Sequence, residues 1–261
     1  MKAVLIVVTL MAQLLATTLP AAASAARVGG SARPAADDPY PSLLEGVVFV
    51  DIDRNGYADY EEPQLLDVAV VLSGTDDLGQ PVLLTTTTNV GGWPYFSLEV
   101  ARPGTYTLGI SGLADFTPEA AYFDDAPQPD PAVISLTLEA ESTHNARFSV
   151  WPRGLAGRVY LDNNANSQRD PDEVSGAGGV PIYVTGQTVS GAVMSETTTY
   201  GNGFWYATGL ATGQYTVNVE LSDFYFTAGA QPGSLGGTVI SDTAIGGIAY
   251  TAGLTSTGYD V

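Results

Sequence analysis

The sequence has no cysteine, a single histidine and a single lysine. Without cysteine there is no disulfide staple, no thiol nucleophile and no thiolate metal site. The lysine is Lys2, so the rest of the chain has no residue for P-loop or Schiff-base chemistry. The histidine, His144, lies in Glu141-Ser142-Thr143-His144-Asn145, which reads as a solvated turn ahead of a strand. No Gly-x-Ser-x-Gly elbow accompanies it to build a triad. A paired-carboxylate glycosidase is the enzyme reading that composition leaves open, and the expectation is that the chain is not an enzyme. Basic residues are scarce: nine Lys and Arg stand against 28 Asp and Glu, for a net charge of −19. Nucleic acids and anionic membranes are bound through Lys and Arg, so neither is an expected partner.

Export explains where the lysine goes. Lys2, the apolar run Ala3 to Leu19 and the small-x-small site Ala23-Ser24-Ala25 read as a signal peptide over 1–25. Cleavage after Ala25 leaves eight arginines against 28 acids, or 8 − 28 = −20. No membrane association is expected after cleavage, and the product is placed outside the cell or on its surface. Residues 26–43, rich in Ala, Pro, Gly and Ser, read as a flexible linker.

What the chain does have is oxygen ligands at fixed spacing. Asp51-Ile52-Asp53-Arg54-Asn55-Gly56-Tyr57-Ala58-Asp59-Tyr60-Glu61-Glu62 fits the D-x-[DN]-x-[DN]-G-x5-E calcium loop. Asp51, Asp53, Asn55, Asp59 and Glu62, with the carbonyl of Tyr57, supply the oxygens that Ca²⁺ requires. Gly56 permits the reversal at position 6. The β-branched runs Val47–Val50 and Val68–Leu72 flank the loop, so it joins strands, not the paired helices of an EF-hand. The pattern returns 162 − 51 = 111 residues later. There Asp162, Asn164, Asn166, Asp170 and Glu173 take the same positions, with the carbonyl of Gln168 at position 7. A dockerin, with two close loops each followed by a helix, does not fit that spacing.

The remainder alternates short apolar runs with Gly, Pro, Asp and Asn, the mark of an all-β chain of sandwich type. The two halves align beyond the loops. Val68–Leu72 matches Val180–Val184, Pro103-Gly104-Thr105-Tyr106 matches Thr212-Gly213-Gln214-Tyr215, and Leu113–Phe116 matches Leu221–Phe224. Arg147–Val150 likewise matches Gly258–Val261. Domain 1 is expected over 44–150 and domain 2 over 151–261, joined with little linker through Trp151-Pro152-Arg153-Gly154. Trp93-Pro94-Tyr95-Phe96 and Phe204-Trp205-Tyr206 occupy corresponding strands. One face of each must be core; an exposed row on the other would suit a carbohydrate-binding module, the alternative function.

A strand, D-x-[DN]-x-N-x-x-x-D-x-x-E, a strand and then Gly-x-Tyr resembles the B domains of bacterial serine-aspartate repeat surface proteins, of the collagen-adhesin B-type group. The resemblance covers about residues 44–261 and implies two tandem Greek-key β-sandwiches of immunoglobulin-like, prealbumin-like form. It further implies calcium binding and a role as a stiff spacer supporting adhesion, with an extracellular protein or glycan as partner. Ser167 departs from it by replacing the loop glycine. Several members of the group resemble one another in an internal Lys–Asn isopeptide bond, which a chain without mature lysine cannot form.

Overall fold

The computed structural model describes residues 41–222 and 229–261. The signal-peptide reading, most of the 26–43 linker and the Asp223-Phe224 match lie outside the described residues. The linker expectation ends too late by two residues, because Ser42 and Leu43 already belong to the first strand and Ser42 is buried.

The first sandwich comprises β1 (Ser42–Val50), β2 (Ala69–Asp76), β3 (Pro81–Thr87), β4 (Tyr95–Val100) and β5 (Gly104–Ser111). It continues with β6 (Phe116–Phe123), β7 (Ala126–Pro127), β8 (Val133–Leu138) and β9 (Thr143–Pro152). One sheet runs β4-β1-β9-β6-β7 and the facing sheet β3-β2-β5-β8. Alternation along the strands sends Leu44, Val70, Leu72, Phe96, Leu108, Ile134 and Phe148 into one core. The pairing of β1 with β9 is parallel and joins residues about 100 apart in sequence, Leu43 to Thr143 through Val50 to Val150.

The second sandwich comprises β10 (Gly154–Arg158), β11 (Pro181–Thr188), β12 (Gly191–Thr198), β13 (Phe204–Thr208), β14 (Gly213–Val219), β15 (Thr238–Ser241) and β16 (Ala244–Tyr250). Its larger sheet runs β12-β11-β14-β16-β15 and the smaller pairs β10 with β13. The final residues lie parallel to β10, as β9 lies along β1: the Tyr259 amide donates to the Ala156 carbonyl and the Val261 amide to that of Arg158. Tyr106 and Tyr215, in the aligned Gly-x-Tyr segments, are both buried, each donating its hydroxyl to the carbonyl four residues earlier, Arg102 and Ala211.

Two strands escaped the sequence reading. β6 carries Pro118 at a register shift, and Pro, which cannot donate to a ladder, is tolerated at such a bulge. β7 is only two residues long. His144 also differs from its expectation. It lies within β9, half-buried, stacked on Phe123 with centroids 5.1 Å apart and with Nδ1 2.6 Å from Asp124 Oδ2. The hairpin aspartate, 20 residues away, draws it out of solvent.

Only Arg153 separates β9 from β10, and the two sandwiches share apolar contacts across that joint. Phe204 of β13 is buried in the first core's cluster, its ring 5.7 Å from that of Trp151, while Tyr206 meets Phe116 at 5.8 Å. Trp205, between them, points into the second core. Both faces of β13 are therefore covered, and the aromatic platform required by the carbohydrate-binding alternative does not form there. In the other sandwich Phe96 is buried and Trp93 is exposed by itself at a hairpin tip.

Close backbone approach explains one matched glycine pair. A Cβ on Gly46 would lie 1.9 Å from the Ala146 carbonyl, and one on Gly157 1.9 Å from that of Tyr259. Gly46→Ala and Gly157→Ala should each cost about 1–3 kcal/mol or more through overpacking. Gly109→Ala, whose Cβ would meet only Ala132 O at 3.8 Å, should stay within about 0.5 kcal/mol. Urea midpoints of the three variants measure the contrast.

Candidate metal centre

β1 delivers Asp51 directly from its last residue, Val50, so the first loop hangs from a fully buried strand end. The chain then winds around the Asp51 carboxylate. Asn55 N–H donates to Asp51 Oδ1 at 3.1 Å and Gly56 N–H to Oδ2 at 3.0 Å. Asn55 N–H also reaches Asp53 Oδ1, and Tyr57 N–H reaches Asn55 Oδ1. Glu62 folds back across the ring, accepting from Ile52 N–H at 2.6 Å and Asp59 N–H at 3.3 Å. These bonds require left-handed backbone at Arg54 (φ 61°) and Gly56 (φ 80°).

The second loop repeats the ring bond for bond. Asn166 N–H and Ser167 N–H donate to Asp162 Oδ1 and Oδ2 at 3.2 and 2.8 Å. Gln168 N–H reaches Asn166 Oδ1, while Asn163 and Asp170 N–H reach Glu173 at 2.7 and 3.0 Å. Left-handed backbone recurs at Ala165 (φ 56°) and Ser167 (φ 59°). Ser167 thus carries the cost of left-handed backbone that a glycine at position 6 avoids, and position 4 is left-handed in both loops without any glycine to signal it.

The loops differ in how their carboxylates converge. Oxygens of Asp51, Asp53 and Glu62 all lie within 4.8 Å of one another, the one such group of three among the described residues. Asp51 and Glu62 are buried and Asp53 is exposed. Asp59 stands slightly apart, its Oδ2 accepting from Asn55 Nδ2 at 2.9 Å. In the second loop neutral Asn164 replaces Asp53, and Asp170 Oδ2 accepts from the side-chain amides of both Asn164 and Asn166. Burial, reinforced by the Asp51 charge, pushes the Glu62 carboxyl up to about 7, and burial also raises Asp51. Among the described residues no Arg or His forms an ion pair with any of the three. Buried like charges without a counter-charge suit an oxygen-seeking divalent cation.

Two supports had no sequence signal. Arg147, 91 residues away on β9, donates from Nε to the Gly56 carbonyl at 3.1 Å and covers the Tyr57 ring at 4.6 Å. Gln231 does the same for the second loop, its Nε2 reaching the Ser167 carbonyl at 3.1 Å. Each holds the carbonyl at position 6, next to the position-7 carbonyls of Tyr57 and Gln168.

Residues 154–248 match the family model of the SdrD B-like domain. The chain is 28% identical over 220 residues to serine-aspartate repeat-containing protein F of Staphylococcus epidermidis, covering 79% of this chain and 12% of that protein. Serine-aspartate repeat-containing protein C of Staphylococcus aureus is 30% identical over 182 residues, 68% of this chain and 19% of that protein. The bone sialoprotein-binding protein of Staphylococcus aureus is 28% identical over 181 residues, 68% of this chain and 15% of that protein. The chain therefore spans less than a fifth of these relatives' length. The minor pilin GBS52 of Streptococcus agalactiae superposes at a TM-score of only 0.31 and 15% identity, covering 84% of this chain and 93% of that one. The Bacillus anthracis TIE protein gives 0.29 at 14%, over 85% of this chain and 34% of that one. Residues 154–248 thus belong to the SdrD B-like domain family, and the chain is a relative of the serine-aspartate repeat proteins.

Proposed function

We propose that the chain is an exported, calcium-stabilised spacer of the cell surface or extracellular matrix, built from two B-type repeats. The observation that carries this reading is the convergence of Asp51, Asp53 and Glu62 without a positive partner, on a hydrogen-bonded ring that recurs 111 residues later. Support for duplication extends beyond the loops. Thr88 and Thr199 occupy equivalent buried posts, accepting from Val68 and Val180 N–H and donating to the Leu65 and Ala177 carbonyls.

In the first loop the residues fit to hold the ion are Asp51, Asp53, Asn55, Asp59, Glu62 and the Tyr57 carbonyl. In the second they are Asp162, Asn164, Asn166, Asp170, Glu173 and the Gln168 carbonyl. Bound calcium would supply the positive charge that these buried carboxylates lack. The chain does the rest: Asp51 fixes the end of β1, Glu62 ties the loop's return to its start at Ile52, and Arg147 fastens the loop to β9. In a chain without disulfides, this clamps the strand ends of a stalk module. Any partner, whether the bone sialoprotein of one relative's name or another extracellular protein or glycan, belongs to the adhesive function such a spacer would serve.

The first loop should bind more tightly, having four carboxylates against three and glycine at its left-handed sixth position. Calorimetry with calcium on Asp51→Ala and Asp162→Ala separates the sites. Loss of the tighter phase in Asp51→Ala is expected; its loss in Asp162→Ala reverses the order, and no calcium heat in the unsubstituted protein overturns the function. Ser167→Gly offers a second reading of the same strain. Relief of about 1–2 kcal/mol of left-handed cost, less about 0.5–1 kcal/mol of glycine entropy, leaves a net gain near 0.5–1 kcal/mol. Urea unfolding of this variant measures it.

A further inference from the structure

Beside the first loop, where it meets the second sandwich, lies a cavity of about 270 Å³ lined by Arg54, Arg158, Arg169, Trp151, Asp53 and Asp260, among others. Three of the six arginines among the described residues line this one space, in a protein whose net charge is −19. Their charges are incompletely answered. Asp260, buried, accepts from the Arg158 backbone N–H at 2.8 Å and lies 3.8 Å from Arg169 Nη1. The Arg158 Nη1 is spent on the Val174 and Asn202 carbonyls. Arg169 Nε is buried and donates to nothing, although a buried donor without a partner is costly. Arg54 sits over the Trp151 ring at 5.4 Å, with Glu119 at 3.6 Å as its counter-ion. Burial, then repulsion from Arg169, holds Arg158 below its ordinary range, as expected of two guanidiniums sharing one aspartate.

We propose that this cavity is an anion site that takes a single carboxylate group, received by the guanidinium of Arg169 in the space it shares with Arg54 and Arg158. A guanidinium presents paired donors in the plane a carboxylate accepts, and the apolar walls of Trp151 and Phe204 strengthen the contact by limiting water. Arg54 is answered by Glu119, and Arg158 and Arg169 share Asp260, so one added negative charge at Arg169 suits the site better than two. The carboxylate comes either from a small free acid or from an acidic side chain of a partner. None of its donors is a calcium ligand, and the proposal rests on the metal reading only through the charge of Asp53 on the cavity wall.

The test follows the indole N–H resonances of the full chain by NMR during titration with sodium acetate, with N-acetyl-glutamate amide and, at matched ionic strength, with sodium chloride. Saturable shifts of the Trp151 indole with acetate or the blocked glutamate, and not with chloride, are expected. Acetate alone points to a free acid as ligand, and tighter binding of the blocked glutamate to a protein side chain. Arg169→Gln, a partly exposed loop position, should weaken the binding at least about tenfold, whereas Arg102→Gln, which removes the same charge elsewhere, should leave it unchanged. The same spectra verify that both variants are folded. No saturable binding of either probe, or binding that survives Arg169→Gln undiminished, overturns the proposal.

Discussion

Phe204→Ala will cost the protein about 3–5 kcal/mol, the usual range for emptying a phenylalanine site in a packed core. The expected size follows from where the ring lies. Phe204 belongs by hydrogen bonding to β13, yet its side chain completes the cluster of the first sandwich beside Trp151 and Tyr206. Its removal therefore opens a cavity between the sandwiches and loosens both. At about 2–4 °C per kcal/mol for a protein of this size, the melting temperature should fall by roughly 6–20 °C. A double-mutant cycle with Trp151→Ala separates contact from separate burial: residues in direct contact couple by about 0.5–3 kcal/mol. Additive losses would mean that the two rings serve independent cores. Val189→Ala, at a fully exposed position, should change nothing measurable.

Chelation should produce a loss of similar size. A ligand that binds only the folded state stabilises by RT ln(1 + [L]/Kd), about 2.7 kcal/mol at a hundredfold excess and about 4.1 at a thousandfold. Two such sites give roughly 5–8 kcal/mol, comparable with the whole stability of many domains. Removal of calcium should lower the melting temperature by about 10 °C or more, and Asp51→Ala should erase the larger part of that difference. Coincident melts with and without chelator would remove calcium from the account.

The hydrogen-bonded rings around Asp51 and Asp162 were legible in the sequence because they follow a local pattern: oxygen side chains at fixed offsets around a turn. Most strands were legible for the same local reason, as β-branched runs between Gly, Pro, Asp and Asn. What escaped depends on distant partners. Nothing near Arg147 or Gln231 announces that each will brace a loop carbonyl 91 or 64 residues away. Alternation along β13 correctly separated Trp205 from Phe204 and Tyr206. It could not say that the second face is covered by the other sandwich. Pro118 lies within β6, a strand the sequence reading missed, and the bulge beside it makes the strand tolerable. Arg54 and Ala165 show the limit of reading glycine as the sign of left-handed backbone, because the ring of amides around Asp51 and Asp162 enforces that conformation on other residues.

The central claim is that each of two equivalent loops holds one calcium ion in the folded chain. Native mass spectrometry of the protein, equilibrated with calcium and then stripped with chelator, counts the ions directly. The account predicts two ions per unsubstituted chain and one in each of Asp51→Ala and Asp162→Ala, all released by the chelator. A folded chain that carries no calcium, or two ions retained in both variants, would contradict it.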